Sequence, residues 1–187
     1  MRSNQLNSSY REEGSWRLIE LKLKSLSQIY NSFDPSPFHE RDLDDDAAEY
    51  IEDAMRELTG QNQVKLLIHV QESASETDRM QLVDALHNYF SYRTRATRLQ
   101  LKEKLRLGRI SLLIGFLFLA SCFEISTLLK ADTGALSPII WEGLIIIGWV
   151  MLWRPLEIFL YDWWPLLAKI RLYQRLETIP VEFRSQS

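Results

Sequence analysis

Residues 110–129 read ISLLIGFLFLASCFEISTLL, an apolar run of 20 residues with one ionisable side chain, Glu124. At about 1.5 Å per residue, a helix of this length spans the roughly 30 Å hydrocarbon core of a bilayer. The core helix of a soluble protein is a poorer interpretation, because the run is long and apolar on nearly all sides. The sequence therefore predicts a first transmembrane helix over residues 110–130. Its small residues Ser111 and Gly115, four apart, are typical of a face where helices approach closely.

A second apolar run follows a short polar external turn, residues 131–138. It reads IIWEGLIIIGWVMLW over residues 139–153 and then meets Arg154 and Glu157. Either the helix continues to residue 161 with Arg154 inside it, or it ends at residue 153 and the rest lies along the membrane surface. Aromatic side chains that suit the two membrane surfaces flank the run and favour the longer helix, residues 139–161. These interfacial anchors are Trp141, Tyr161, Trp163 and Trp164.

Basic side chains flank the two runs on one side of the predicted membrane. Residues 93–109 carry seven bases against a single acid, and four more bases lie within residues 162–187, predicted to be a cytoplasmic interfacial segment. The turn between the runs has only Lys130. Because cytoplasmic flanks attract Lys and Arg, both termini are predicted to be cytoplasmic. The seven bases are Arg93, Arg95, Arg98, Lys102, Lys104, Arg106 and Arg109.

The basic stretch is predicted to be a helical connector that contacts a lipid bilayer with anionic headgroups. Such an attraction is worth about 1 kcal/mol per charge near the surface. Nucleic acid is the alternative partner of a basic stretch. No aromatic side chain for base stacking is interleaved with these bases, so no nucleic acid is expected to bind.

The region before the basic stretch is acidic, with 17 acids against 9 bases over residues 1–92. Residues 1–15 are polar and are expected to be disordered. Over residues 16–92, apolar and polar side chains alternate from Ile19 and again from Val64, which predicts two strands. Each strand is followed by apolar residues at helical spacing, the first helix capped by Asp42 or Asp44 and the second by a capping box that begins at Ser75. The pattern predicts a small cytoplasmic strand–helix–strand–helix domain.

Two strands alone make a weak sheet. Either a third strand lies hidden in this region, or another chain completes the sheet. Residues 76–107 contain neither Gly nor Pro, so one long helix is expected to run from the domain toward the bilayer, with Gly108 as the first place where it can bend.

Three charged residues of the apolar runs, Glu124, Arg154 and Glu157, form a candidate intramembrane polar site. A charge in hydrocarbon costs at least about 2.5 kcal/mol, so it normally faces a partner or water. Arg154 and Glu157 are three apart and can pair on one helix. Counted from the cytoplasmic ends, Glu124 lies about 21 Å deep and Arg154 about 10 Å deep, so a level pair between them is not expected. The site is either structural or the lining of a pore in an oligomer.

No catalytic residue, metal site or cofactor is predicted. The proline-rich segment 34–42 contains Ser36 and His39 beside several acids, types that can act in acid–base or metal chemistry, but their adjacency does not build a site. The phosphate-binding, hydrolase and zinc motifs are absent, and the protein is predicted not to be an enzyme. Cys122 is the only cysteine, so an internal disulfide is excluded.

Two segments, FDPSPFHERDLD at residues 33–44 and WRPLEIFLYDWWP at residues 153–165, resemble those of an uncharacterised group of small bacterial two-helix inner-membrane proteins. The resemblance implies a location in the bacterial inner membrane and no particular activity. Calcium uniporters also place an acidic, aromatic segment at a two-helix hairpin. Their W-D-x-x-E-P motif is absent, because Arg154 follows Trp153 and Pro155 precedes Glu157.

The sequence thus predicts an α+β fold with transmembrane helices. The leading hypothesis for function is a homo-oligomeric membrane protein whose cytoplasmic domain acts as an assembly or interaction module. Three predicted features support this hypothesis: the incomplete sheet, the continuous helix into the membrane and the small core. Three alternatives remain open: an oligomeric ion or proton channel lined by the intramembrane charges, an enzyme that uses the His39 segment, and a passive anchor for a partner protein.

Overall fold

The computed structural model describes residues 10–30, 43–61, 63–72, 74–130 and 137–185. The chain divides into two compact units. The first, named here the sheet unit, combines Met1–Ala96 with Lys169–Ser187. The second, named the hairpin unit, is Thr97–Ala168.

The sheet unit is built on four strands in the order β1–β2–β3–β4. The strands are β1 (Glu12–Glu13), β2 (Trp16–Leu23), β3 (Val64–Val70) and β4 (Val181–Ser185). Strand β1 pairs antiparallel with β2, whereas β2 with β3 and β3 with β4 are parallel pairs. The two strands predicted from alternation are therefore present, and they lie side by side in the middle of the sheet.

The predicted element order is only partly matched, because β1 and β4 come from outside residues 16–92. β1 lies in the segment predicted to be disordered, and β4 lies in the segment predicted to be interfacial. The sheet was predicted to be completed by a hidden strand within residues 16–92 or by another chain. Both alternatives are wrong, since the chain's own C-terminal segment supplies β4. The signal is weak in the sequence, because VEFRS offers only two apolar positions, Val181 and Phe183.

Helix α1 (Asp45–Glu57) connects β2 to β3, and its ends follow from local chemistry. The Asp44 carboxylate accepts a hydrogen bond from the backbone N–H of Asp46, so Asp44 is the N-cap; Asp42 lies outside the described residues. The apolar stripe of α1 faces the core through Ala48, Ile51, Ala54 and Met55.

Helix α2 (Glu76–Lys130) is one continuous helix of 55 residues. The predicted capping box is confirmed: Asp78 N–H donates to Ser75 Oγ at 3.1 Å, and Ser75 N–H donates to Asp78 Oδ2 at 3.3 Å. The helix passes through Gly108 without interruption.

The second half of the chain is also helical. Helix α3 (Ser137–Glu157) is followed by a π-helical turn, Ile158–Asp162, and by helix α4 (Trp164–Leu176). The helix therefore does not end at Trp153, and α3 contains Pro155 in its last turn. Pro165 lies in the first turn of α4, where a missing N–H costs little.

Two helical stretches, Glu76–Ile125 and Glu142–Leu176, are long and apolar enough to cross a membrane. Their most apolar windows are only 17% and 22% buried within the chain. A core helix of a soluble protein would be mostly covered by its own fold. Most of the apolar surface of these windows is therefore free to meet lipid or another chain.

One core holds the sheet unit together, and it draws on both ends of the chain. Ile19, Leu66 and Ile68 from the strands are completely buried against α1 and the start of α2. The C-terminal part adds Tyr173 and two other apolar positions. The core residues from α2 and the C-terminal part are Leu82, Ala85, Leu86, Phe90, Tyr173, Leu176 and Ile179.

The opposite face of the sheet carries a ring of four charged residues, Glu13, Lys65, Glu182 and Arg184. Lys65 contacts both acids, and Arg184 bonds Glu13 at 2.7 Å and Glu182 at 2.8 Å. Hydrogen bonds from Arg184 and Lys65 lower the pKa of Glu13, and hydrogen bonds from Lys65 and Arg184 lower the pKa of Glu182. The ring is therefore intact at neutral pH, and its contribution is lost as the pH falls through these lowered values.

Candidate functional site

The two helices of the hairpin unit are antiparallel and meet at glycines. A Cβ at Gly148 would lie 2.7 Å from Leu119 Cδ1 and 3.3 Å from Leu119 Cα. A Cβ at Gly115 would lie 3.0 Å from Leu152 Cδ2. A side chain at Gly148 would require the Leu119 side chain to move, and one at Gly115 would require Leu152 and the Met151 carbonyl to shift by a few tenths of an ångström. The prediction that Gly115 marks a face of close helix contact is confirmed.

Gly115 also lies against a backbone carbonyl that has lost its usual partner. Pro155 has no N–H, so the carbonyl of Met151, four residues earlier, receives no helical hydrogen bond from it. A Cβ at position 115 would come within 3.3 Å of that oxygen. The glycine therefore allows α2 to cover the part of α3 where the backbone ladder is broken, just before the π-helical turn.

Cys122 provides a direct test of this helix register, because a Cβ at position 148 would lie 3.5 Å from Cys122 Cβ. Disulfides join Cβ atoms about 3.5–4.5 Å apart. We expect Gly148→Cys, combined with Leu119→Ala to relieve the closest contact, to form an intramolecular disulfide with Cys122 under a mild oxidant. Mass spectrometry and loss of maleimide labelling would detect it. Gly143→Cys with Leu119→Ala is the matched control and should keep both thiols, because a Cβ at 143 has no neighbour within 4 Å. Equal oxidation of the two variants would contradict the register.

The charged residues of α3 form a chain of alternating charges. Arg154 donates to Glu157 at 2.8 Å, which confirms that these two residues can pair on one helix. Arg154 also lies 3.8 Å from Asp162, and Asp162 lies 3.2 Å from Lys104 of α2. The order is Glu157, Arg154, Asp162, Lys104, with charges that cancel. Arg154 is thus partnered within its own hairpin, as a structural charge in a membrane helix would be.

Glu124 is in a different situation. Its side chain is exposed within the apolar run of α2, and among the described residues no ion-pair partner contacts its carboxylate. The Thr127 hydroxyl donates to the Glu124 backbone carbonyl at 2.7 Å and leaves the carboxylate untouched. The three predicted intramembrane residues therefore do not form one site, since Arg154 and Glu157 pair with each other and Glu124 stands apart.

The seven bases of the connector have different surroundings. Arg93 lies 3.5 Å from Glu52 and stacks over Tyr89 and Tyr173, and Lys104 pairs with Asp162. The remaining five side chains are exposed, and no ion pair to them occurs within the described part of the chain. These five are Arg95, Arg98, Lys102, Arg106 and Arg109. Their numbers advance by three or four, so they lie on one side of α2, one per turn.

The predicted interfacial aromatics are mostly exposed where they are described. Tyr161 is 69% exposed and Trp164 is 64% exposed. Trp163 donates from its indole N–H to the Phe159 carbonyl at 2.7 Å, which satisfies one backbone group of the π-helical turn. The Trp141 side chain lies outside what the structure describes.

A buried polar cluster in the sheet unit was missed by sequence reasoning. Glu52 of α1 is 7% exposed, and its Oε2 accepts a hydrogen bond from Tyr173 of α4 at 3.1 Å. Arg93 of α2 lies 3.5 Å from the other carboxylate oxygen. Burial raises the pKa of Tyr173, so the phenol remains a donor at neutral pH. The cluster joins three helices around one carboxylate. Its only sequence signal is an acid inside the apolar stripe of α1.

The two histidines of the described segments have ordinary positions. His87 Nε2 lies 3.0 Å from the Ile179 carbonyl, and His69 lies 3.7 Å from Glu20 on the outer face of the sheet. No group of three or more potential metal ligands occurs among the described residues. His39 and the rest of its segment lie outside them.

Comparisons with family models, curated proteins and solved structures find no match to this chain. The resemblance to small two-helix inner-membrane proteins stays an expectation, and the function has to be inferred from the residues of this chain.

Proposed function

We propose that this chain is an integral membrane protein, located in the bacterial inner membrane. The hairpin unit crosses the bilayer twice, both termini face the cytoplasm, and the sheet unit serves as an assembly or interaction module there. The proposal rests mainly on the low burial of the two apolar windows, 17% and 22%. Exposed apolar patches larger than a few hundred Å² are rare on soluble monomers, and here both helices of one unit expose them.

The kind of side chain that is exposed supports lipid as the environment. Large aliphatic and aromatic residues along both helices are about half or more exposed, Trp149 and Trp153 among them. Glycines bring the two helices together, as is common when lipid supplies no hydrophobic force between them. Examples from α2 and α3 are Leu113, Ile114, Phe116, Leu117, Phe123, Ile146, Trp149, Val150 and Trp153.

Membrane insertion is tested on the full chain in cells. We expect the protein to resist alkaline carbonate extraction and to float with membranes in a sucrose gradient. Sidedness is tested in a Cys122→Ala background, where a cysteine placed at Asp132 should react with an impermeant maleimide added to intact spheroplasts. A cysteine placed at Glu72 should react only after permeabilisation. Recovery of folded protein in the carbonate supernatant would overturn the proposal.

The exposed carboxylate of Glu124 supports self-association as a second part of the proposed function. A carboxylate exposed to hydrocarbon costs at least about 2.5 kcal/mol, and a second copy that brings water or polar groups to it removes that cost. The argument from an incomplete sheet no longer applies, because β4 completes the sheet within the chain. An oligomer that gathers several Glu124 side chains around water is also the arrangement of a small ion or proton channel, which is the second candidate function.

If the protein is a channel, one substitution that removes a charge should have a large effect on ion flux. Glu124→Gln is expected to reduce proton or cation flux in proteoliposomes to the level of protein-free vesicles, because the pore would lose the carboxylate proposed to line it. Glu142→Gln is the matched control, since Glu142 is an exposed acid near the start of α3 and should leave the flux unchanged. Equal flux in wild type and Glu124→Gln would remove the channel and leave the assembly function.

A further inference from the structure

The basic connector has a feature that lipid binding does not explain: four of its exposed side chains lie in a row along α2. Arg98, Lys102, Arg106 and Arg109 all belong to the hairpin unit, and all four are exposed. At 3.6 residues per turn they form a straight row, named here the basic row, with one charge per turn. No ion pair to these four side chains occurs in the described part of the chain, so the row is available to a partner.

Lipid headgroups account for only part of the basic row. The apolar run begins at Ile110, directly after Arg109. Arg98 is eleven residues earlier, or about 16 Å along the helix axis. Charges are screened over about 8 Å at physiological ionic strength. If α2 stands across the bilayer as proposed, Arg106 and Arg109 meet the headgroups, while Arg98 and Lys102 project beyond them.

The sheet unit carries a matching acidic surface. Asp45, Glu49 and Asp53 lie four residues apart on α1 and are exposed, so they form a row with nearly the same spacing, named here the acidic row. Asp53 pairs with Arg56, whereas no ion pair to Asp45 or Glu49 is found in the described segments. Two helices with opposite charges at one per turn can lie side by side and pair along their lengths.

We propose that the basic row of one copy binds the acidic row of a second copy. The inference rests on the proposed function, because it names the surfaces through which the membrane protein would assemble. An exposed ion pair is individually weak. Two copies inserted in one membrane with the same orientation are confined together, which raises their effective concentration and makes several weak pairs sufficient.

A reciprocal charge exchange between two copies tests this pairing. One variant, basic-to-acidic, carries Arg98→Glu and Lys102→Glu; the other, acidic-to-basic, carries Asp45→Lys and Glu49→Lys. Copies with two different affinity tags are coexpressed, and the full chains are copurified at low salt in discs of native membrane, where the copies remain in one bilayer. Each variant is expected to lose about tenfold in pairing with itself, because like charges then face each other. The two variants together should regain wild-type pairing, since both contacts are again between opposite charges.

Controls separate this result from other causes. Glu72→Lys with Asp84→Lys makes the same charge change at exposed positions outside the acidic row and should pair as wild type does. Carbonate extraction of every variant shows whether insertion has failed, which would count against the proposed function rather than against the pairing. Failure of the two variants to rescue each other would overturn the inference. Loss of pairing for the basic-to-acidic variant alone would also overturn it, because the partner of the basic row would then be lipid or another protein.

Discussion

Deletion of residues 178–187 is expected to abolish the folded sheet unit. The deletion removes β4, whose ladder covers one edge of β3, and it removes Ile179, which is 2% exposed in the core. It also removes the Pro180 carbonyl that accepts from Leu66 N–H at 2.9 Å. Burial of one such isoleucine contributes about 1.5–3 kcal/mol, and a domain is stable by only about 5–15 kcal/mol. Limited proteolysis of the full-length and shortened chains in detergent should show rapid digestion of the shortened sheet unit.

Single substitutions show whether the deletion acts by removing core side chains or only by shortening the chain. Ile179→Ala should cost about 2–5 kcal/mol, because it leaves a cavity under β3 and β4. Thr178→Ala is the matched control at the exposed neighbouring position and should stay within about 0.5 kcal/mol of wild type. A shortened chain that keeps the protease resistance of the full chain would show that β4 is dispensable.

The boundary of the sheet unit illustrates what periodicity can and cannot predict. Alternation identified β2 and β3, and capping chemistry identified the starts of α1 and α2, because these signals lie within a few residues of one another. The domain predicted over residues 16–92 is incomplete, since its core also takes Tyr173, Leu176 and Ile179 from beyond the apolar runs. Contacts across so long a separation leave no local pattern in the sequence.

The same distinction holds within the apolar runs. Length and composition identified two helices able to cross a membrane, and the spacing of Arg154 and Glu157 predicted their pair. The link from Arg154 to Asp162 was not predictable, because it depends on the π-helical turn that follows Pro155. Glycine contacts at Gly148 likewise depend on the register of two helices, which hydropathy does not specify.

Substitutions in the buried polar cluster of the sheet unit are also expected to lower its stability strongly. Glu52→Leu should destabilise the sheet unit by about 1–3 kcal/mol, because the Tyr173 hydroxyl would be left buried without an acceptor. Tyr173→Phe should cost a similar amount, about 1–3 kcal/mol, because Glu52 would lose its donor at Oε2. Thermal unfolding of the full chain in detergent, followed through the near-ultraviolet signal of the tyrosines, measures both. Asp84→Leu on the exposed side of α2 is the matched control, with an expected change within about 0.5 kcal/mol.

The double variant Glu52→Leu with Tyr173→Phe decides whether the two side chains act as a pair. When both partners are replaced by apolar groups, neither leaves an unsatisfied polar atom, so the double variant should be less destabilised than the sum of the two single variants. A coupling of about 0.5–3 kcal/mol is expected for groups in direct contact. Arg93 is affected by the loss of Glu52 in both backgrounds, and at 44% side-chain exposure it can turn to water, so its contribution cancels in the cycle. Strict additivity would mean that Glu52 and Tyr173 stabilise the three-helix junction independently, and the carboxylate would then no longer be the group that ties α4 to α1.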